Sequence, residues 1–112
     1  MAFLVCYSHD PPHDHPTNRA IYLDQSFYEM IFRECRRPDS DYVILKEIAS
    51  LRYKSPTLVL SQESLEILQS ELDRLDAHEY FHSRIAEFKI VIGTAINRNC
   101  SLTISGDMYR EL

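Results

Sequence analysis

Only two of the 112 residues are glycine, Gly93 and Gly106. That scarcity narrows the fold more than any other feature. A phosphate-cradling loop, a dinucleotide-binding fold and a turn-rich β-barrel all use backbone positions that glycine fills best, so each is disfavoured. What remains is a chain whose apolar residues recur mostly at helical spacing. Hydrophobic residues make up 45% of it and charged residues 26%. That is enough to bury one core, and the length suits a single domain over 1–112.

Residues 2–8 are rich in β-formers. Phe3, Val5 and Tyr7 face one way and Leu4 and Cys6 the other, as in a strand used on both faces. Pro11, Pro12 and Pro16 then force a loop. Phe27, Met30, Ile31 and Cys35 follow helical spacing, with Asp24 or Ser26 as cap and Arg33, Arg36 and Arg37 at the far end. This predicts a helix over 24–37, ended by Pro38. Ser40 and Asp41 open a second, over 41–53, with Ile44, Leu45, Ile48 and Leu51 on its core face. Thr57–Leu60 is a short extended piece. Ser61 caps a third helix, 61–75, in which Leu65, Leu68, Leu72 and Leu75 form one stripe and Leu60 staples Leu65.

A fourth helix, 77–98, carries Phe81, Ile85, Phe88, Ile92 and Ile96 on one face. Its stretch 90–96 is apolar nearly all round, and periodicity alone does not separate a buried helix from a strand there. Helix is preferred because the period from Phe81 to Ile96 runs unbroken. After a turn at 97–99, residues 100–105 alternate as a strand that Gly106 ends. An isolated strand would leave its backbone groups unpaired. The expected architecture is therefore a helix-rich α+β domain. About four helices cover a small sheet that pairs the N- and C-terminal strands, and Leu65, Leu68, Leu72, Phe81, Phe88 and Ile92 are buried.

No apolar run is long enough to span a membrane, and the first residues lack the basic start of a signal peptide. Cys6, Cys35 and Cys100 are odd in number and widely spaced. They fit core thiols in a reducing cytoplasm better than a disulfide framework. Cys6 is a candidate nucleophile only if a histidine pairs with it. No Gly-x-Ser-x-Gly, phosphate-loop or basic-aromatic RNA motif is present.

The net charge of −5 is concentrated in one segment. Residues 61–79 hold Glu63, Glu66, Glu71, Asp73, Asp76 and Glu79 against Arg74 alone, which accounts for all of it; the other eleven acids and eleven bases cancel. Nucleic acid is a poor partner for such a chain, and a basic protein is a better one. Glu63, Glu66, Ser70 and Asp73 fall on the side of the third helix away from the leucines, with Ile67 among them. These five are the candidate partner-binding residues.

All five histidines lie in two clusters. His78-Glu79-Tyr80-Phe81-His82 has the form His-Glu-x-x-His, and over those five residues the chain resembles the zincin metalloproteases. The resemblance implies zinc held by His78 and His82, and Glu79 activating a zinc-bound water. Asp76 and Ala77 before the motif, and Ser83 and Arg84 after it, are not the apolar flanks of a buried motif helix. No Gly-x-x-His follows, so a third ligand must come from elsewhere. His9, His13 and His15, with Asp10 and Asp14, are the candidate source; otherwise they are loop histidines that titrate near neutral pH. Asp76 and Glu79 also have the spacing of a helix-opening capping box, which would place the motif in a solvated first turn.

The C-terminal run Ile104-Ser105-Gly106-Asp107-Met108-Tyr109-Arg110-Glu111-Leu112 resembles the ending of certain small, uncharacterised bacterial proteins, some of them immunity proteins that accompany toxins. The leucine-rich helix at 61–75, followed by a helix and a strand, is similar too. The resemblance implies a binding role with no catalytic residue and no cofactor. Two expectations result. The leading one is a cytoplasmic protein-binding module using the acidic helix. The alternative is a small zinc-dependent hydrolase.

Overall fold

Val5 pairs with Ile21 on one side and Ile104 on the other, placing the first strand inside the sheet. The computed structural model describes residues 3–8, 19–52, 57–75 and 77–106. Strands β1 (Phe3–Ser8), β2 (Arg19–Leu23), β3 (Thr57–Leu60) and β4 (Ser101–Gly106) form one antiparallel sheet in the order β2-β1-β4-β3. The N- and C-terminal strands are therefore neighbours. Side chains alternate across the sheet. Val5, Leu23, Leu60, Leu102 and Ile104 join the core on one face, with Tyr7, Ile21 and Leu58 packed against it. Leu4, Cys6, Val59 and Thr103 point to the other face.

Helices α1 (Gln25–Cys35), α2 (Ile44–Ala49), α3 (Gln62–Arg74) and α4 (His82–Asn97) cover the core face. α4 packs on β2 and β4, α3 on β3 and β4, and α2 bridges α1 and α3. Phe27 and Phe88 meet edge to face at 6.3 Å in the middle of this layer, both fully buried. Asp24 caps α1, its Oδ1 accepting from the Phe27 amide at 3.0 Å, and Ser61 caps α3 through the Ser64 amide. α4 ends in a Schellman turn. The Cys100 amide donates to Ala95 O and the Asn99 amide to Ile96 O, with Asn99 at φ 54°. Gln62, at the start of α3, ties this turn down by donating to Ala95 O at 3.2 Å and Cys100 O at 2.6 Å.

The structure departs from the sequence reading in four places. Residues 19–23 form an edge strand where no element is expected; five residues after a proline-rich loop carry too little pattern to be told from a helix lead-in. The second helix is shorter than 41–53, beginning at Ile44 and ending in a 3-10 turn over 50–52. The fourth begins as a 3-10 turn over Glu79–Phe81 and becomes α-helical only at His82. Phe81 is only partly buried, packing at the rim against Phe27 at 6.3 Å. Residues 90–96 are helical, with Val91, Ile92 and Ala95 inside and Ile90 exposed.

Candidate functional site

A shallow groove of about 470 Å³ runs along α3. Glu63, Glu66, Ile67, Ser70, Glu71 and Arg74 supply one wall and Asp41 and Val43 the other. The α3 residues recur every three or four positions, so they line one side of the helix for about 16 Å along its axis. Two apolar side chains lie open in the groove. Val43 is 57% exposed and Ile67 40%.

Glu71 holds the second wall in place. Its side chain is 2% exposed, and its carboxylate accepts from the amides of Val43 at 2.6 Å, Ile44 at 3.3 Å and Leu45 at 2.9 Å. These are the unpaired donors of the first turn of α2, which has no side-chain cap of its own. The carboxylate neutralises that helix end and anchors the 43–45 backbone against α3. At the far end, Arg74 Nη1 donates to Asp41 Oδ1 at 2.9 Å, and the guanidinium sits 5.3 Å over the Tyr42 ring. This bond holds the Asp41 carboxyl below the usual carboxylate range. Burial pushes the Tyr42 hydroxyl up, and the charge of Glu34 adds to that.

Four of the five residues proposed from sequence, Glu63, Glu66, Ile67 and Ser70, meet in this groove. Asp73 does not line it; its carboxylate pairs with Lys89 of α4. Among the described residues, neither Glu63 nor Glu66 has an ion-pair partner, and both are exposed. The acidic helix therefore divides its charges. Glu71 is buried beneath α2 and Asp73 pairs with Lys89 at the surface, whereas Glu63 and Glu66 face solvent with no ion-pair partner among the described residues. Sequence reasoning missed Val43 and Asp41, because it opened the second helix at Asp41 and put Val43 in its first turn, whereas both stand on the segment that leads into a helix starting at Ile44.

The histidine motif is arranged for a different purpose. His78 caps the 3-10 turn, its Nδ1 accepting from the Tyr80 amide at 3.0 Å. That bond needs an unprotonated Nδ1, so the neutral ring carries its proton on Nε2 and offers no further lone pair. His82 Nε2 lies 3.1 Å from Ala77 O and donates to it, which leaves Nδ1 open. Both rings and Glu79 are exposed. To share a zinc ion, His78 would have to give up its cap. No group of three or more His, Cys, Asp or Glu side chains is gathered as metal ligands among the described residues. His9, His13 and His15, the proposed source of a third ligand, lie outside the described residues, as does Asp76 of the proposed capping box.

The three cysteines are thiols. Cys6 and Cys100 are buried. Cys35 is half-buried; desolvation, reinforced by the negative charge of Glu71, raises its pKa to about 11. Such a thiol is a poor nucleophile at neutral pH. No helix among the described residues is long and apolar enough to cross a membrane. Comparison with protein-family models, with curated proteins and with solved structures finds no match to this chain.

Proposed function

We propose that the chain is a protein-binding module, without catalytic activity, that recognises a basic protein through the exposed face of α3. The observation that carries this reading is the pair of solvent-facing carboxylates of Glu63 and Glu66, which have no ion-pair partner among the described residues, beside the exposed Ile67. An apolar residue next to uncompensated charge favours a complementary surface over water. The resemblance of the C-terminal run to certain small bacterial proteins, some of them of the immunity type, supports the same role. Three thiols in a chain of this size suit a cytoplasmic location.

The test is a comparison at fixed protein concentration. The wild-type chain and the double variant Glu63→Lys, Glu66→Lys are used to capture partners from an extract of the source cell at low salt, and capture is repeated as salt is raised. The expected result is a partner of basic composition that the wild type holds at low salt, loses as salt screens the charges, and that the variant does not hold. A partner held equally well by the variant at low salt excludes this face.

A further inference from the structure

The groove beside α3 has a feature that charge alone does not require. Its floor is apolar, and it is made by two segments far apart in sequence. Val43 stands on one side and Ile67 on the other, both open to solvent, while the carboxylates of Glu63 and Glu66 lie on the N-terminal side of Ile67. The 41–45 segment is fixed by the three amide bonds to Glu71 and by the Asp41–Arg74 pair, so the floor is preformed. A preformed apolar floor lowers the ordering cost of binding.

The lining carries four acids against one base, and that base is already paired with Asp41. A cationic occupant is therefore favoured, whereas an anionic one, including an acidic membrane surface, is repelled. The length of about three helical turns suits a short amphipathic segment laid along α3.

Resting on the binding role proposed above, we infer that the partner docks through a cationic amphipathic segment. One aliphatic side chain of that segment seats between Val43 and Ile67. Lysine or arginine side chains beside it reach Glu63 and Glu66, their stems lying over the apolar floor and their heads at the carboxylates. The apolar contact sets how long the complex lasts, and the charges set how fast it forms.

The test uses defined peptides and the backbone amide spectrum of the isotope-labelled chain. The first peptide is an amphipathic helix of leucine and lysine, the second replaces every leucine with serine at the same charge, and the third replaces every lysine with glutamate. The expected result is that the leucine–lysine peptide shifts the amides of Val43, Glu63, Ile67 and Ser70, and binds about tenfold or more tightly than the serine peptide. Val43→Ser and Ile67→Ser each weaken it several-fold, whereas Glu63→Lys with Glu66→Lys abolishes it. The glutamate peptide leaves the spectrum unchanged. The same spectra show that each variant is folded.

Equal affinity for the serine and leucine peptides at these amides overturns the apolar anchor and leaves electrostatic docking standing. Shifts confined to other faces, or self-association of the chain through these amides without peptide, overturn the inference. If no cationic peptide moves the groove amides at low salt, the binding role proposed for this face fails with it.

Discussion

Glu71 Oε2 accepts the Val43 amide at 2.6 Å, so a carboxylate on α3 starts a helix whose first residues lie far earlier in the chain. The bond joins two elements that share no local sequence signal. It also converts one charge of an acidic helix into a structural part.

Glu71→Ala is expected to destabilise the fold by about 2–4 kcal/mol, because it strips the cap from amides that are partly or fully buried. Glu71→Gln keeps one acceptor oxygen but turns an amide group toward donors, and should cost about half as much. Urea unfolding measures both, as a lower midpoint at unchanged slope. Amide exchange at Val43, Ile44 and Leu45 should quicken in each. A midpoint shift too small to resolve for Glu71→Ala would mean that water caps α2 equally well.

Gln62 is the corresponding tie at the other end of α3. Gln62→Ala removes both bonds to the α4–β4 turn and should cost about 1–2 kcal/mol. Gln62→Glu should be worse than alanine, since it sets a carboxylate against two carbonyl oxygens with no donor between them. Thermal or urea unfolding of the pair gives the order, and a glutamate variant as stable as wild type contradicts the geometry.

The Cys35 thiol is charged only when deprotonated, and both burial and Glu71 oppose that charge. Its folded pKa of about 11 lies above the ordinary 9.0, so the folded state holds this proton more tightly than the unfolded one. The contribution to stability is present below pH 9 and is lost as pH rises through 9 toward 11. At pH 8, alkylation of Cys35 by iodoacetamide should be about a hundredfold slower in the folded chain than in urea, read residue by residue by mass spectrometry. Glu71→Gln should speed it, because one of the opposing charges is gone. Equal rates in folded and unfolded chain would refute the shift.

The histidine motif predicts little zinc. Protein purified without an affinity tag should contain well under one equivalent by elemental analysis, and His82→Ala should unfold at an unchanged temperature. About one equivalent of zinc, lost in that variant, would make the hydrolase reading the better one.

Local pattern carried the helices. Asp24 and Ser61 cap where their spacing places them, Leu65, Leu68 and Leu72 face inward, and the Phe81–Ile96 period continues through residues 90–96 as helix. These features depend on residues three or four apart, which a one-dimensional string records directly. The pairing of the terminal strands was legible for a different reason: strands with unpaired backbone groups need partners, and two of them were available. The segregation of charge to residues 61–79, and Ile67 lying off the leucine stripe, were equally visible.

Tertiary structure decided the rest. β2 is a strand because β1 offers it a register, not because Arg19-Ala20-Ile21-Tyr22-Leu23 demands one. The 3-10 start at Glu79 splits His78 from His82, and a five-residue match has no means of showing that a ring nitrogen is occupied by the Tyr80 amide. Which carboxylates of α3 remain available to a partner was also beyond the string. Glu71 lies beside the leucine stripe and Glu63 opposite it, but the string does not show that α2 brings unsatisfied amides to Glu71. A sequence determines how many charges a helix carries; the folding of distant segments against that helix determines which of those charges are used up inside the protein and which stay free to act.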